Sequence, residues 1–211
     1  MIAIIQRFLL IAFLAVVPLV RAQSYDFKVN KYISVSFPHK PQVVKDDGLY
    51  MFTNQTESGL MYISVYEAPG NSLVHNHAEL KKAYADYLSG IRKGATMLEM
   101  QEIQLKKCNA LYARYQIEDS VIIESQFLYF KGALYSLTYL TADPSNPLAQ
   151  AEKNSFFESL AIRNQNGAIS QLDNAANSNP GKTRAWGRIV GFALLIATGT
   201  GLLFYYRKRI F

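Results

Sequence analysis

Eighteen consecutive residues without a charge, Ile189 to Tyr206 (IVGFALLIATGTGLLFYY), constrain this chain more than any other feature. As a helix rising ~1.5 Å per residue they cover about 27 Å, close to the ~30 Å hydrocarbon thickness of a bilayer. Trp186 precedes the run, and Phe204, Tyr205 and Tyr206 close it, as amphipathic rings do at headgroup level. Arg207, Lys208 and Arg209 then end it. The expectation is a single transmembrane helix over 186–206 with a tail at 207–211.

The other end carries a shorter apolar core, Phe8 to Val20, after one basic residue, Arg7, with Pro18 near its close and small residues before Gln23. That layout predicts a secretory signal peptide, 1–22. Cleaved or uncleaved, it leaves the intervening domain outside the cytoplasm. The expected location is therefore the cytoplasmic (inner) membrane, with the domain facing the periplasm or exterior.

The net charge of +6 invites a nucleic-acid reading, but the excess sits at the membrane flanks. Between Gln23 and Asn164, fourteen Lys and Arg face fifteen Asp and Glu. No basic domain face is implied, so no nucleic-acid partner is expected. Cys108 is the only cysteine, which excludes an intrachain disulfide and a thiolate metal cage. The domain must stand on its hydrophobic core, and ~140 residues suffice for one.

Within 23–163 the apolar period alternates between two and 3.6. Ile33, Val35 and Phe37 alternate with Tyr32, Ser34 and Ser36, which predicts a half-buried strand stopped by Pro38 and Pro41. Gly48–Thr53 and Leu60–Glu67 read as a hairpin. Leu80, Ala83, Tyr84, Tyr87, Leu88 and Ile91 recur at spacings of three and four and predict a helix laid on a sheet. Strands follow at Met97–Leu105, Ala110–Glu118, Val121–Phe130 and Ala133–Thr141, the last two joined tightly through Lys131 and Gly132. Pro147 opens a second helix running through Ala161, with Leu148, Ala151, Phe156 and Leu160 on its expected inner face. From 164 to 185 the composition is mostly Asn, Gln, Ser, Gly and Ala, which predicts a flexible linker.

This order of strands, helix, antiparallel strands and closing helix resembles the PsbP-like superfamily, which includes an extrinsic photosystem subunit and a Ran-binding import factor. The strand running into Phe37, Pro38, His39, Lys40 and Pro41 carries the likeness, with the closing Phe156, Phe157, Glu158, Ser159 and Leu160. The resemblance implies an α+β fold, an antiparallel sheet flanked by helices in an α/β/α sandwich, usually without catalysis. The C-terminal span is this chain's own departure.

No catalytic constellation emerges, and no cofactor or metal is expected. His75 and His77 point to different sides of a helix, so only His75 and Glu79 share a face, too few ligands for a metal. Gly181-Lys182-Thr183 lacks the first glycine and the strand of a phosphate loop. Cys108 beside a strand reads as packed. Asn54-Gln55-Thr56 forms a glycosylation acceptor triplet of a kind that arises by chance. Tyr32, Tyr62 and Tyr66 lie opposite the apolar strand faces and form a candidate contact surface, unless a helix covers them. Ala193, Ala197 and Gly201 repeat every fourth residue in the span and offer a helix-packing face for self-association or a protein partner. The sequence thus favours a membrane-anchored binding or accessory module without catalysis. The rival is an envelope enzyme, hydrolase-like, whose site no motif betrays.

Overall fold

Short polar turns between period-two segments leave a chain little choice but antiparallel neighbours. In the computed structural model, which describes residues 24–46, 49–67, 74–92, 94–117, 121–163 and 171–172, seven such segments form one sheet. They are β3 (Gln42–Asp46), β4 (Leu49–Gln55), β5 (Leu60–Glu67), β6 (Thr96–Leu105), β7 (Cys108–Ile117), β8 (Val121–Phe130) and β9 (Ala133–Thr141). Their spatial order is β3-β4-β5-β9-β8-β7-β6, antiparallel throughout. Every neighbour is a sequence neighbour except β5 with β9, where Leu60 pairs with Leu140 and Glu67 with Ala133.

That exception decides the position of the first helix. The chain leaves β5 and must begin again at β6 on the far edge, four strand spacings or about 19 Å away. Helix α1 (His77–Ile91) has fifteen residues, about 22 Å of helix, and makes the crossing over one sheet face. Asn76 caps it by accepting from the Glu79 N–H at 2.9 Å, while the Glu79 carboxylate accepts from the His75 N–H at 2.8 Å. The predicted stripe faces inward: Leu80, Tyr84, Tyr87, Leu88 and Ile91 pack on Tyr62, Tyr115, Phe127 and Tyr129.

The opposite face is covered by helix α2 (Pro147–Glu158) and by a small sheet, β1 (Tyr25–Lys28), β2 (Ile33–Phe37) and β10 (Ala161–Ile162). Ile33, Val35, Phe37, Phe156 and Leu160 pack there against Met61, Ile63, Leu128, Tyr135 and Tyr139. Two covered faces account for β9, ALYSLTYLT, being buried along its whole length despite five hydroxyl residues. The layers are therefore α1, the large sheet, and α2 with the small sheet.

Several expectations need correction. β3 was not anticipated: it is an edge strand with Val43 and Val44 60% and 47% exposed, so burial imposes no alternation on it. α2 ends at Glu158, and Ala161, the last residue expected in it, opens β10 against β2. Its buried side chains are Ala149 and Phe156, whereas Leu148 and Ala151 face outward. Gln171 and Leu172, which fall within the expected linker, are docked on the domain; the rest of that segment lies outside the described residues. The signal peptide, the span with Ala193, Ala197 and Gly201, and the tail lie outside the described residues. Among the described residues no helix is long and apolar enough to cross a membrane.

Candidate functional site

The tyrosines anticipated as a contact surface are separated by the layers. Tyr62 is 1% exposed beneath α1, and Tyr66, on the same face of β5, is half-buried against the α1 cluster. Tyr32 lies on the other side of the large sheet, its ring edge-on to Phe130 at 5.8 Å. The three form no common surface, because α1 covers the face that β5 left to its tyrosines.

Other sequence candidates are occupied by structural work. Glu79 is held in the α1 cap, and no group of three metal-ligating side chains occurs among the described residues. Asn54 is buried and donates to the His39 carbonyl at 2.8 Å, so a glycan there would have to break the packing. Cys108 is fully buried, and burial pushes its thiol up, away from the reactive thiolate.

The site that sequence reasoning missed is the outward side of β6, β7 and β8 beside α2. Register lines up two cross-strand rows there, Glu99–Arg114–Glu124–Tyr139 and Gln101–Tyr112–Gln126–Leu137. Neither row is visible along the chain, since its members come from four strands. α2 covers the β9 end of each row and leaves the β6 and β7 end open, where Tyr112, Arg114 and Gln126 are partly exposed and Glu99 and Gln101 are exposed.

Two residues of α2 bolt the helix to this face. Lys153 Nζ lies 2.9 Å from both carboxylate oxygens of Glu124, and the Tyr112 hydroxyl donates to Glu124 Oε2 at 2.7 Å. Next to it Glu152 Oε2 accepts from Thr56 Oγ1 at 2.6 Å, from the Tyr139 hydroxyl at 2.9 Å and from Ser58 Oγ. That second cluster is fixed by the tight β4–β5 turn, where a Cβ on Gly59 would run into the Leu140 carbonyl and the Tyr139 ring.

The face is braced by these bonds yet incompletely satisfied. Arg114 Nε and Gln126 Oε1 are buried with no hydrogen-bond partner, a costly arrangement that a ligand or partner supplying one acceptor and one donor would relieve. Glu124 and Glu99 balance Lys153 and Arg114, so the face is close to neutral. It suits a hydrogen-bonding partner more than a strongly charged one. Tyr112 is poorly placed for chemistry: burial, then the hydrogen bond to Glu124, push its phenol well above the usual range and keep it a proton donor.

A second concavity lies between α1 and the β6–β7 hairpin, an open groove of about 550 Å³ floored by Leu80, Leu88 and Leu111. Lys81 and Glu102 pair across its mouth at 3.0 Å, and Asn109 Nδ2 meets His77 Nδ1 at 3.0 Å. Its rim therefore satisfies itself.

No family model matches the chain, and neither does any curated protein sequence. Solved structures do. Cyanobacterial PsbP from Synechocystis superposes with a TM-score of 0.50 at 11% identity, covering 69% of this chain and 96% of that one. A Pseudomonas aeruginosa protein of unknown function overlaps more loosely, with a TM-score of 0.38, 13% identity, and 63% and 94% of the two chains covered. A Bacteroides thetaiotaomicron protein gives 0.37 at 14% identity, covering 64% of this chain and 46% of its own.

Proposed function

We propose that this chain, whose fold is PsbP-like, is a non-catalytic binding or accessory module, tethered to the outer side of the cytoplasmic membrane by its C-terminal apolar segment. The observation that carries the reading is the open face of β6–β8, where Tyr112, Arg114 and Gln126 stand partly exposed, Arg114 Nε and Gln126 Oε1 lack partners, and the Glu124–Lys153 and Tyr112–Glu124 contacts brace the side chains around them. Such a surface is pre-organised for binding, because the side chains that meet the partner lose little freedom on association.

Against catalysis weighs the state of three described groups that could act as nucleophiles. The Cys108 thiol is raised by burial, and the Tyr112 and Tyr139 phenols are raised by burial and by the carboxylates they bond. An activated site needs the opposite shift. A photo-crosslinking residue at Gln101 or Gln116, compared with one at Lys82 on the outer side of α1, tests the reading in the native membrane. Discrete adducts at the first two positions and none at the third support it. Adducts at none, with the protein present and folded, would overturn it.

A further inference from the structure

Two hairpin tips hold lysine against the preference of the backbone. Lys106 and Lys107 join β6 to β7 with φ of 48° and 72°, and Lys131 and Gly132 join β8 to β9 with φ of 50° and 75°. Both are two-residue loops with the doubled positive φ of a type I′ turn, where Asn-Gly or Asp-Gly is favoured because a Cβ is disfavoured. Three of these four positions nonetheless carry lysine. Strain retained at a surface turn points to a use for the side chain.

The tips are neighbours. Register pairs Leu111 with Phe127, and continuing it toward the turns brings Lys107 beside Lys131. Gln171 spans the two hairpins: its side chain accepts from the Asn109 N–H at 2.9 Å and donates to the Asn109 and Tyr129 carbonyls at 2.6 and 3.0 Å, while its own carbonyl accepts from the Lys131 N–H at 3.4 Å. The β1–β2 tip joins them through Tyr32 on Phe130, with Lys31 Nζ 4.8 Å above the Tyr32 ring. The Arg163 N–H donates to the Tyr32 carbonyl at 2.7 Å. Lys31, Lys106, Lys107, Lys131 and Arg163 thus gather at one end of a domain whose charges nearly cancel. Glu67, at the end of β5, shares this end, as does Asp46, at the end of β3, which pairs with Leu49; Glu79 is held in the α1 cap. The opposite end presents Glu57, in the β4–β5 turn, and Asp143, after β9.

Arg163, Gln171 and Leu172 also mark this end as the one where the chain departs. Thirteen residues separate Leu172 from Trp186, and a coil of that length reaches about 20 Å. We propose that the basic end rests on anionic phospholipid headgroups of the membrane the C-terminal segment enters, a proposal that takes 189–206 to be a span. The tether holds the lysines within reach of the surface, where each is worth on the order of a fivefold change in partitioning. The strands then run away from the bilayer, and the open face of β6–β8 looks sideways along it.

The test uses the full chain in lipid nanodiscs with a nitroxide on the lipid headgroup. Broadening of the amides of residues 106–108 and 131–133, but not of 57–59, is expected with anionic lipid only. The variant Lys106→Asn, Lys107→Gly, Lys131→Asn relaxes both turns, so its Tm should rise while the anionic-lipid broadening is lost. Broadening unchanged in zwitterionic discs or in the variant, or strongest at 57–59, overturns the proposal. A chain that does not enter the discs removes the span, and flotation on anionic vesicles then decides: salt-sensitive binding lost in the variant upholds the basic surface, and no binding rejects it.

Discussion

Glu124 on β8 and Lys153 on α2 form an ion pair in which both carboxylate oxygens lie 2.9 Å from the ammonium nitrogen, with the two side chains 9% and 12% exposed. Removing one partner leaves a buried charge without compensation, which costs about 3–5 kcal/mol. Lys153→Met and Glu124→Gln are each expected to lower stability on that scale in denaturant titrations. The double replacement is expected to recover much of the loss, and a purely additive result would mean that the two charges act separately.

The buried tyrosines divide by whether their hydroxyls are used. Tyr62 and Tyr87 hydroxyls have no partner in bonding geometry, although Thr138 and Ser136 stand beside them. Tyr62→Phe and Tyr87→Phe should be neutral or stabilising by about 1 kcal/mol, because an unmet polar group is removed. Tyr139→Phe takes a donor from Glu152 and should destabilise by about 1–3 kcal/mol. Thermal melts of the three variants compare the signs directly.

Alkaline pH is expected to unfold the domain. Burial raises the phenols of Tyr62, Tyr84, Tyr87, Tyr112, Tyr135 and Tyr139, and pushes Tyr115 from 10.0 up to about 12. A raised folded pKa means that the folded state holds protons the unfolded chain has released. The stabilisation is whole below pH 10 and declines as pH rises toward the folded values, by about 1.4 kcal/mol per pH unit for each such tyrosine. Tm measured between pH 8 and 11 should be flat and then fall, with the fall tracked by tyrosinate absorbance.

Gln171 holds the end of the chain through its side-chain amide, which meets both backbone groups of Asn109. Gln171→Ala removes the acceptor of the Asn109 N–H and a donor to the Tyr129 carbonyl, and a loss of about 1–3 kcal/mol is expected. Limited proteolysis should cut the variant between Arg163 and Leu172 faster than the wild type. Equal cleavage in both would show that the latch does not hold the segment.

What could be read along the chain is what repeats along it. The alternation in Leu60–Glu67, the stripe from Leu80 to Ile91 and the tight Lys131-Gly132 connection all appear in the structure, because side-chain period and turn chemistry are local properties. β3 escaped notice because an exposed edge has no buried face to pattern it. β10 was missed because two residues carry no period. The Glu124–Lys153 pair escaped because 29 residues and a change of layer separate its members.

The sequence by itself determined the strand faces, the helix stripe and the near-neutral charge of the domain, since each depends only on residue type and spacing. Tertiary structure decided which faces stay open. Tyr62 is buried because β5 pairs with β9 and α1 must then cross over it, whereas Tyr112 and Arg114 stay accessible because α2 stops short of β6 and β7. The same alternation describes a strand before either face is covered, and only long-range pairing chooses what covers it.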